Sequence, residues 1–173
     1  GIDMRAFIFP GQGSQAVGMG KTLAEASSTA REVFEEVDHA LEQSLFKLMC
    51  DGPLDELTLT ENAQPAIMAN AIATLRVMEK DGGKSLGDIC SYVAGHSLGE
   101  YSALCAAGAL DLTTTAELLK LRGQSMQKAV PVGEGGMAAL LGADIKKASA
   151  LANASSEGEV CTVANDNDPT QVV

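Results

Sequence analysis

The run Gly95-His96-Ser97-Leu98-Gly99 constrains this chain most, because it sets a serine between two glycines at a change of hydrophobic pattern. Ahead of it, Ile89-Cys90-Ser91-Tyr92-Val93-Ala94 reads as a buried strand; behind it, Leu98 to Gly108 reads as a helix packed closely through Gly, Ala, Ser and Cys. A G-x-S-x-G sequence between strand and helix forms a nucleophile elbow, whose sharp turn lifts the serine oxygen clear of the sheet and needs glycine where side chains would collide. The pattern calls for an α/β fold and makes Ser97 the candidate catalytic residue.

The composition bounds the class. A chain of 173 residues suits one domain with its own core. Its 46% hydrophobic and 20% charged residues describe an ordinary globular protein, and with 3% aromatics the core is expected to rest on Ala, Leu, Val and Met. A net charge of −11 and only 12 scattered Lys and Arg argue against nucleic acid as a partner, since phosphate contacts need clustered cations. No apolar run approaches the ~18 residues of a spanning helix, and no secretory leader pattern opens the chain, so a cytoplasmic protein without a membrane partner is expected. Cys50, Cys90, Cys105 and Cys161 form no C-x-x-C pair and have no histidine at ligand spacing, so thiols rather than a metal site are expected. Gly1-Ile2-Asp3 ahead of Met4 reads as a remnant of expression.

Along the chain, Arg5 to Phe9 is an apolar strand that stops at Pro10 and opens into the glycine-rich Gly11-Gln12-Gly13-Ser14-Gln15. Glu25 to Leu41 places Val33, Phe34, Val37 and Leu41 on one helical face. A further helix is expected from about Thr60 to Gly82-Gly83. After the elbow, Thr114 and Glu117 suggest a capping box for a helix running to about Ala129. Pro131 with Gly133, Gly135 and Gly136 then breaks the chain, a candidate boundary. Beyond it, strands are expected over 137–141, 160–163 and 171–173, with a helix over 144–153.

A serine nucleophile needs a base, which histidine commonly supplies because its pKa lies near neutrality. The chain has two histidines, and neither fits: His96 adjoins Ser97 and should point to the opposite face, while His39 sits on an acidic helical face. Arg122 shares a helical face with Leu118, Leu119 and Met126. A guanidinium in an apolar stripe suits a substrate carboxylate, or equally an acidic side chain or a snorkelling position at the helix edge. The Gly11 to Ala16 segment superficially fits a dinucleotide fingerprint, but Pro10 interrupts the turn and no second strand returns after about 20 residues. A tight loop turning its backbone N–H groups toward a reaction centre is the better reading, so no cofactor is expected.

Taken together, Phe9-Pro10-Gly11-Gln12-Gly13-Ser14-Gln15, Thr60 through Gln64-Pro65-Ala66, Gly95 through Tyr101 and Leu121-Arg122-Gly123 resemble the malonyl-CoA:acyl carrier protein transacylases in kind and order. The resemblance implies a hydrolase-like three-layer α/β domain with a parallel sheet over residues 4–132, and the start of an inserted ferredoxin-like α+β subdomain over 133–173. It implies that Ser97 carries a malonyl group from coenzyme A to the phosphopantetheine thiol of acyl carrier protein. The backbone N–H groups of Gln12 and Leu98 would form an oxyanion hole. Arg122 would hold the malonyl carboxylate, Gln64 would lie nearby, and Asn165 and Asn167 would lie close to the substrate channel. Malonyl-CoA would be a substrate, not a cofactor. Members of the family are about twice as long as this chain, and their catalytic histidine falls in a stretch that would follow Val173. A serine thioesterase or lipase, a catalytically silent carrier-binding module and the acyltransferase domain of a polyketide synthase are the alternatives; Met4 near the start favours a stand-alone enzyme over the last. Docking of an acidic carrier would need a basic patch, for which Lys120, Lys128, Lys146 and Lys147 are candidates.

Overall fold

The computed structural model describes residues 5–90, 92–129, 140–141, 149–150, 166–168 and 171–172. The chain divides into two compact units, with the break between Val130 and Pro131.

In the first unit, β1 (Ala6–Phe9) pairs in parallel with β2 (Tyr92–Gly95), in a register running from Ala6 opposite Tyr92 to Phe9 opposite Gly95. Parallel neighbours need a long crossover. Here it is helical: α1 (Lys21–Ala26), α2 (Ser28–Leu41), α3 (Leu45–Asp51), α4 (Leu54–Thr58), α5 (Thr60–Gly82) and the short α6 (Leu86–Ile89). After β2 come α7 (Gly99–Ala106) and α8 (Leu112–Ala129). The core lies where α5 meets α2, α7 and α8. Val33, Phe34 and Val37 of α2, Ile67, Met68 and Ile72 of α5, and Ala116 and Leu119 of α8 are all buried there. The small alanines of α5 let its neighbours approach closely, and Phe34 stacks on Phe46 with ring centroids 4.4 Å apart.

Local chemistry moves several expected boundaries. The stretch from Glu25 to Leu41 is broken at Ser27, whose backbone is extended (φ −139) and whose side chain accepts the Ala30 N–H at 3.4 Å, so that α2 begins afresh. Helix α8 starts at Leu112 because Asp111, not Thr114, caps it: the Thr114 N–H donates to Asp111 Oδ1 at 2.7 Å. The expectation of a buried elbow strand also fails among the described residues. Ile8 is 76% exposed and Tyr92 61%, whereas Phe9 is buried, so one face of the two-stranded sheet packs on helices and the other stands open.

In the second unit, β3 (Leu140–Leu141) and β4 (Asp166–Asp168) flank β5 (Gln171–Val172) in an antiparallel sheet, with an irregularity between Asp166 and Asp168. The strand expected over 160–163, and all but residues 149–150 of the helix expected over 144–153, lie outside the described residues. No described helix is long and apolar enough to cross a membrane.

Candidate active site

The serine is placed by backbone geometry. Beyond β2 the ladder continues one step, as the His96 N–H donates to the Phe9 carbonyl at 3.2 Å, and the chain then turns sharply. Ser97 has φ +56, in the left-handed region that a side chain rarely tolerates, which stores on the order of 1–3 kcal/mol of strain. The Gly99 N–H to His96 carbonyl bond and the Glu100 N–H to Ser97 carbonyl bond, each 3.0 Å, close the turn. A Cβ on Gly95 would run into the carbonyl of Gly99, so glycine is needed where the strand meets the returning helix. Ser97 ends up exposed at the tip of the turn, with Leu98 buried beneath it.

The glycine-rich loop lies against this turn. A Cβ on Gly11 would stand 2.7 Å from the His96 carbonyl oxygen and 3.0 Å from its Nδ1. The loop is shaped by its own side chains, with Ser14 Oγ donating to the Gly11 carbonyl at 2.8 Å and the Gly13 N–H donating to Gln15 Oε1 at 2.9 Å. The N–H groups of Gln12 and Leu98 have no backbone acceptor among the described residues.

The opposite wall comes from α5 and α8. Arg122 Nη2 donates to Ser97 Oγ at 3.0 Å, and Nη1 donates to Gln64 Oε1 at 2.8 Å. Gln64 is fully buried and passes its own Nε2 donor to Met126 Sδ at 3.1 Å. Tyr101, one turn beyond Ser97, faces the guanidinium with 5.8 Å between Cζ and the ring centroid. No carboxylate pairs with Arg122 among the described residues. Of the apolar stripe expected around it, only Leu119 is buried; Leu118 and Met126 are each 38% exposed, so the guanidinium sits at an opening rather than in the core. A cation beside an exposed hydroxyl, with its other arm on a neutral amide, can accept an anionic group without displacing a protein acid.

The other expected residues distribute unevenly. Ser97, Arg122 and Gln64 come together, with Leu98 beneath the serine and the Gln12 loop against the elbow. Asn165 lies outside the described residues, and Asn167 is placed only by its backbone in β4. His39 and His96 are exposed and neither is hydrogen-bonded to Ser97. Lys120, expected as a surface cation, is instead drawn inward to Gln43 and Asn62. Sequence reasoning missed Tyr101 as the neighbour of Arg122. Its signal was available, since it stands four residues after Ser97 on the helix that leaves the elbow. Among the described residues, no group of three His, Cys, Asp or Glu side chains gathers as a metal ion would need; Cys161 lies outside them.

A family model described as an acyl transferase domain matches residues 6–173. The chain belongs to the acyl transferase domain family. It is similar to the malonyl CoA-acyl carrier protein transacylase of Bacillus subtilis (strain 168), with 47% identity over 169 residues, covering 97% of this chain and 52% of that protein. Among solved structures it is similar to the acyl-carrier-protein-S-malonyltransferase of Bartonella henselae, at 55% identity and a TM-score of 0.84, covering 98% of this chain and 54% of that one. A type II PKS acyl-carrier protein in complex with its malonyl-transacylase is matched at 40% identity and a TM-score of 0.83, over 98% of this chain and 54% of that one. This acyl transferase chain therefore spans about half the length of the relatives it matches. Its mostly helical fold around a small parallel sheet is the acyl transferase fold of those neighbours.

Proposed function

We propose that this acyl transferase is a malonyltransferase of fatty acid synthesis, moving a malonyl group from coenzyme A to the phosphopantetheine thiol of acyl carrier protein through an ester on Ser97. The observation that carries the reading is the Arg122 to Ser97 bond of 3.0 Å, made by a guanidinium that has no acidic partner among the described residues. An acyl group on Ser97 Oγ that ends in a carboxylate would lie within reach of that fork, and one that ends in a methyl would leave it unpaired. The names of the similar proteins point the same way.

In the first half-reaction, Ser97 Oγ attacks the thioester carbon while its proton passes to a base. The carbonyl becomes an oxyanion facing the N–H groups of Gln12 and Leu98, and coenzyme A leaves as its thiol on regaining that proton. In the second, the carrier thiol attacks the serine ester and the sequence runs in reverse. By resemblance to the malonyltransferases the base would be a histidine in the part of those relatives that this chain does not span; His39 and His96 make no bond to Ser97. Gln64 keeps the guanidinium oriented, and Asn165 and Asn167 belong near the channel by resemblance. No cofactor takes part.

The parallel pairing of β1 and β2 ahead of an elbow supports a hydrolase-like layered domain over 4–132, and the antiparallel β3–β5–β4 sheet supports a ferredoxin-like insertion beginning at 133. In line with the family, the protein works in the cytoplasm. The test is Arg122→Ala in the full-length protein, with malonyl-CoA and acetyl-CoA as competing donors and the carrier as acceptor. Preference for malonyl should fall about a hundredfold, ~2.7 kcal/mol. An unchanged preference, or free malonate as the main product of the parent protein, would sink the assignment.

A further inference from the structure

Arg122 can serve a carboxylate only if α8 is held at one depth against α5, and contacts on both sides of it do this. On the N-terminal side, Lys120 Nζ donates to Gln43 Oε1 at 2.7 Å and to Asn62 Oδ1 at 3.2 Å, and lies 3.8 Å from Glu61 Oε2. These are contacts of a long side chain, which can give. On the C-terminal side the helices touch through the backbone. A Cβ on Gly123 would stand 2.5 Å from both the Thr60 carbonyl oxygen and Glu61 Cα, and Thr60 Oγ1 donates to the Gly123 carbonyl at 2.8 Å.

Thr60 and Gln64 lie four residues apart on α5 and share a face, while Gly123 and Arg122 are neighbours on α8. The Thr60–Gly123 bond and the Gln64–Arg122 bond are thus two rungs between the same helices, one turn apart on α5. The Arg122 rung is made by side chains, and it is the one a substrate would engage. The Thr60 rung grips the main chain, and it fixes where the arginine starts.

We propose that Thr60 is the positioning residue for Arg122: its hydroxyl sets the register of α8 that delivers one arm of the guanidinium to Gln64 and the other to Ser97. The proposal rests on the malonyltransferase reading and adds to it the source of the carboxylate selectivity. Loss of the hydroxyl lets α8 slip by a few tenths of an ångström, which weakens a two-armed carboxylate contact far more than a contact to a methyl group.

The experiment compares Thr60→Val, Thr60→Ser and Thr60→Ala in the full-length protein, by steady-state transfer from malonyl-CoA and from acetyl-CoA. Thr60→Val should raise KM for malonyl-CoA about tenfold with a smaller change in kcat, leave acetyl transfer nearly unaltered, and so lower the malonyl to acetyl ratio; Thr60→Ser should restore it. A ratio equal to that of the parent, or a serine variant no better than valine, overturns the proposal, because simple destabilisation would lower both activities alike. If Thr60→Val does not fold, Thr60→Ala removes the hydroxyl without added branching and carries the same comparison. If the parent itself transfers no malonyl group, the functional reading fails separately. The position of Arg122 in a crystal structure of Thr60→Ala then decides the positioning claim: a guanidinium withdrawn from Ser97 and Gln64 supports it, and an unmoved one overturns it.

Discussion

The two walls of the candidate site are held by different means. The elbow wall fixes Ser97 through main-chain geometry within a few residues, with φ +56 at the serine and closed turns on either side, under little cover. The helical wall fixes Arg122 through side chains far apart in sequence, over a buried polar network in which Gln64 is 0% and Asn62 5% exposed. A nucleophile whose angle of presentation is set by local strain fails all at once. A guanidinium held by several hydrogen bonds should fail by degrees.

The sharpest break of that contrast is Gly95→Ala. The added methyl has only the Gly99 and Glu100 backbone to push against, so the turn must open and cannot yield through a flexible side chain. We expect a loss of about 3 kcal/mol in urea denaturation, the upper range for overpacking, together with loss of Ser97 labelling by a sulfonyl fluoride. A variant as stable and as reactive as its parent would show that the elbow is not held by close approach.

On the helical wall, Asn62→Leu should cost less. Asn62 accepts from Gln43 Nε2 at 2.9 Å and from Lys120, and its Nδ2 donates to the Glu56 carbonyl at 2.9 Å. An isosteric leucine removes three hydrogen bonds at a buried position, while the half-buried Gln43 and Lys120 and the exposed Glu56 can turn to water, which predicts a loss of about 1–2 kcal/mol by the same measurement. Because the Thr60 and Gln64 rungs remain, malonyl preference should change by less than about threefold; a collapse of preference would make the network, not the rungs, the support of Arg122.

The same division explains what could be read in advance. Gly95 to Gly99 announces its turn in five residues, because Gly95 answers a collision with Gly99 only four residues on; the demand for glycine at Gly99 comes instead from the Phe9 backbone across the sheet, and is legible only as part of the motif. The start of α5 at Thr60 and its end at Gly82 were likewise legible from periodicity and terminal glycines. The inward turn of the half-buried Lys120 was not, since nothing in its own helix says that Gln43 and Asn62 will converge on its ammonium. The exposure of Tyr92 was misread for a related reason: an apolar strand looks alike whether one face or both are covered, and the cover is decided elsewhere. Asp111 was overlooked as the cap because the Thr114 and Glu117 pair already fits a helix start, and only the backbone decides which oxygen meets the free N–H.

That cap supplies the mildest test. The Thr114 backbone N–H, and after it the Thr114 hydroxyl, hold the Asp111 carboxyl below its ordinary value of 3.8. A carboxyl lowered by folding contributes stability that is fully present above its unfolded pKa and is lost as pH falls through the folded one. Asp111→Ala should therefore melt below the parent above about pH 5, with the gap narrowing toward about pH 2. Asp111 is exposed and lies at the far end of α8 from Arg122, so fraying there should leave the malonyl to acetyl ratio untouched. If the ratio falls, α8 moves as one rigid piece and its register is set at its first turn; if it holds while Thr60→Val lowers it, the register is set at Gly123.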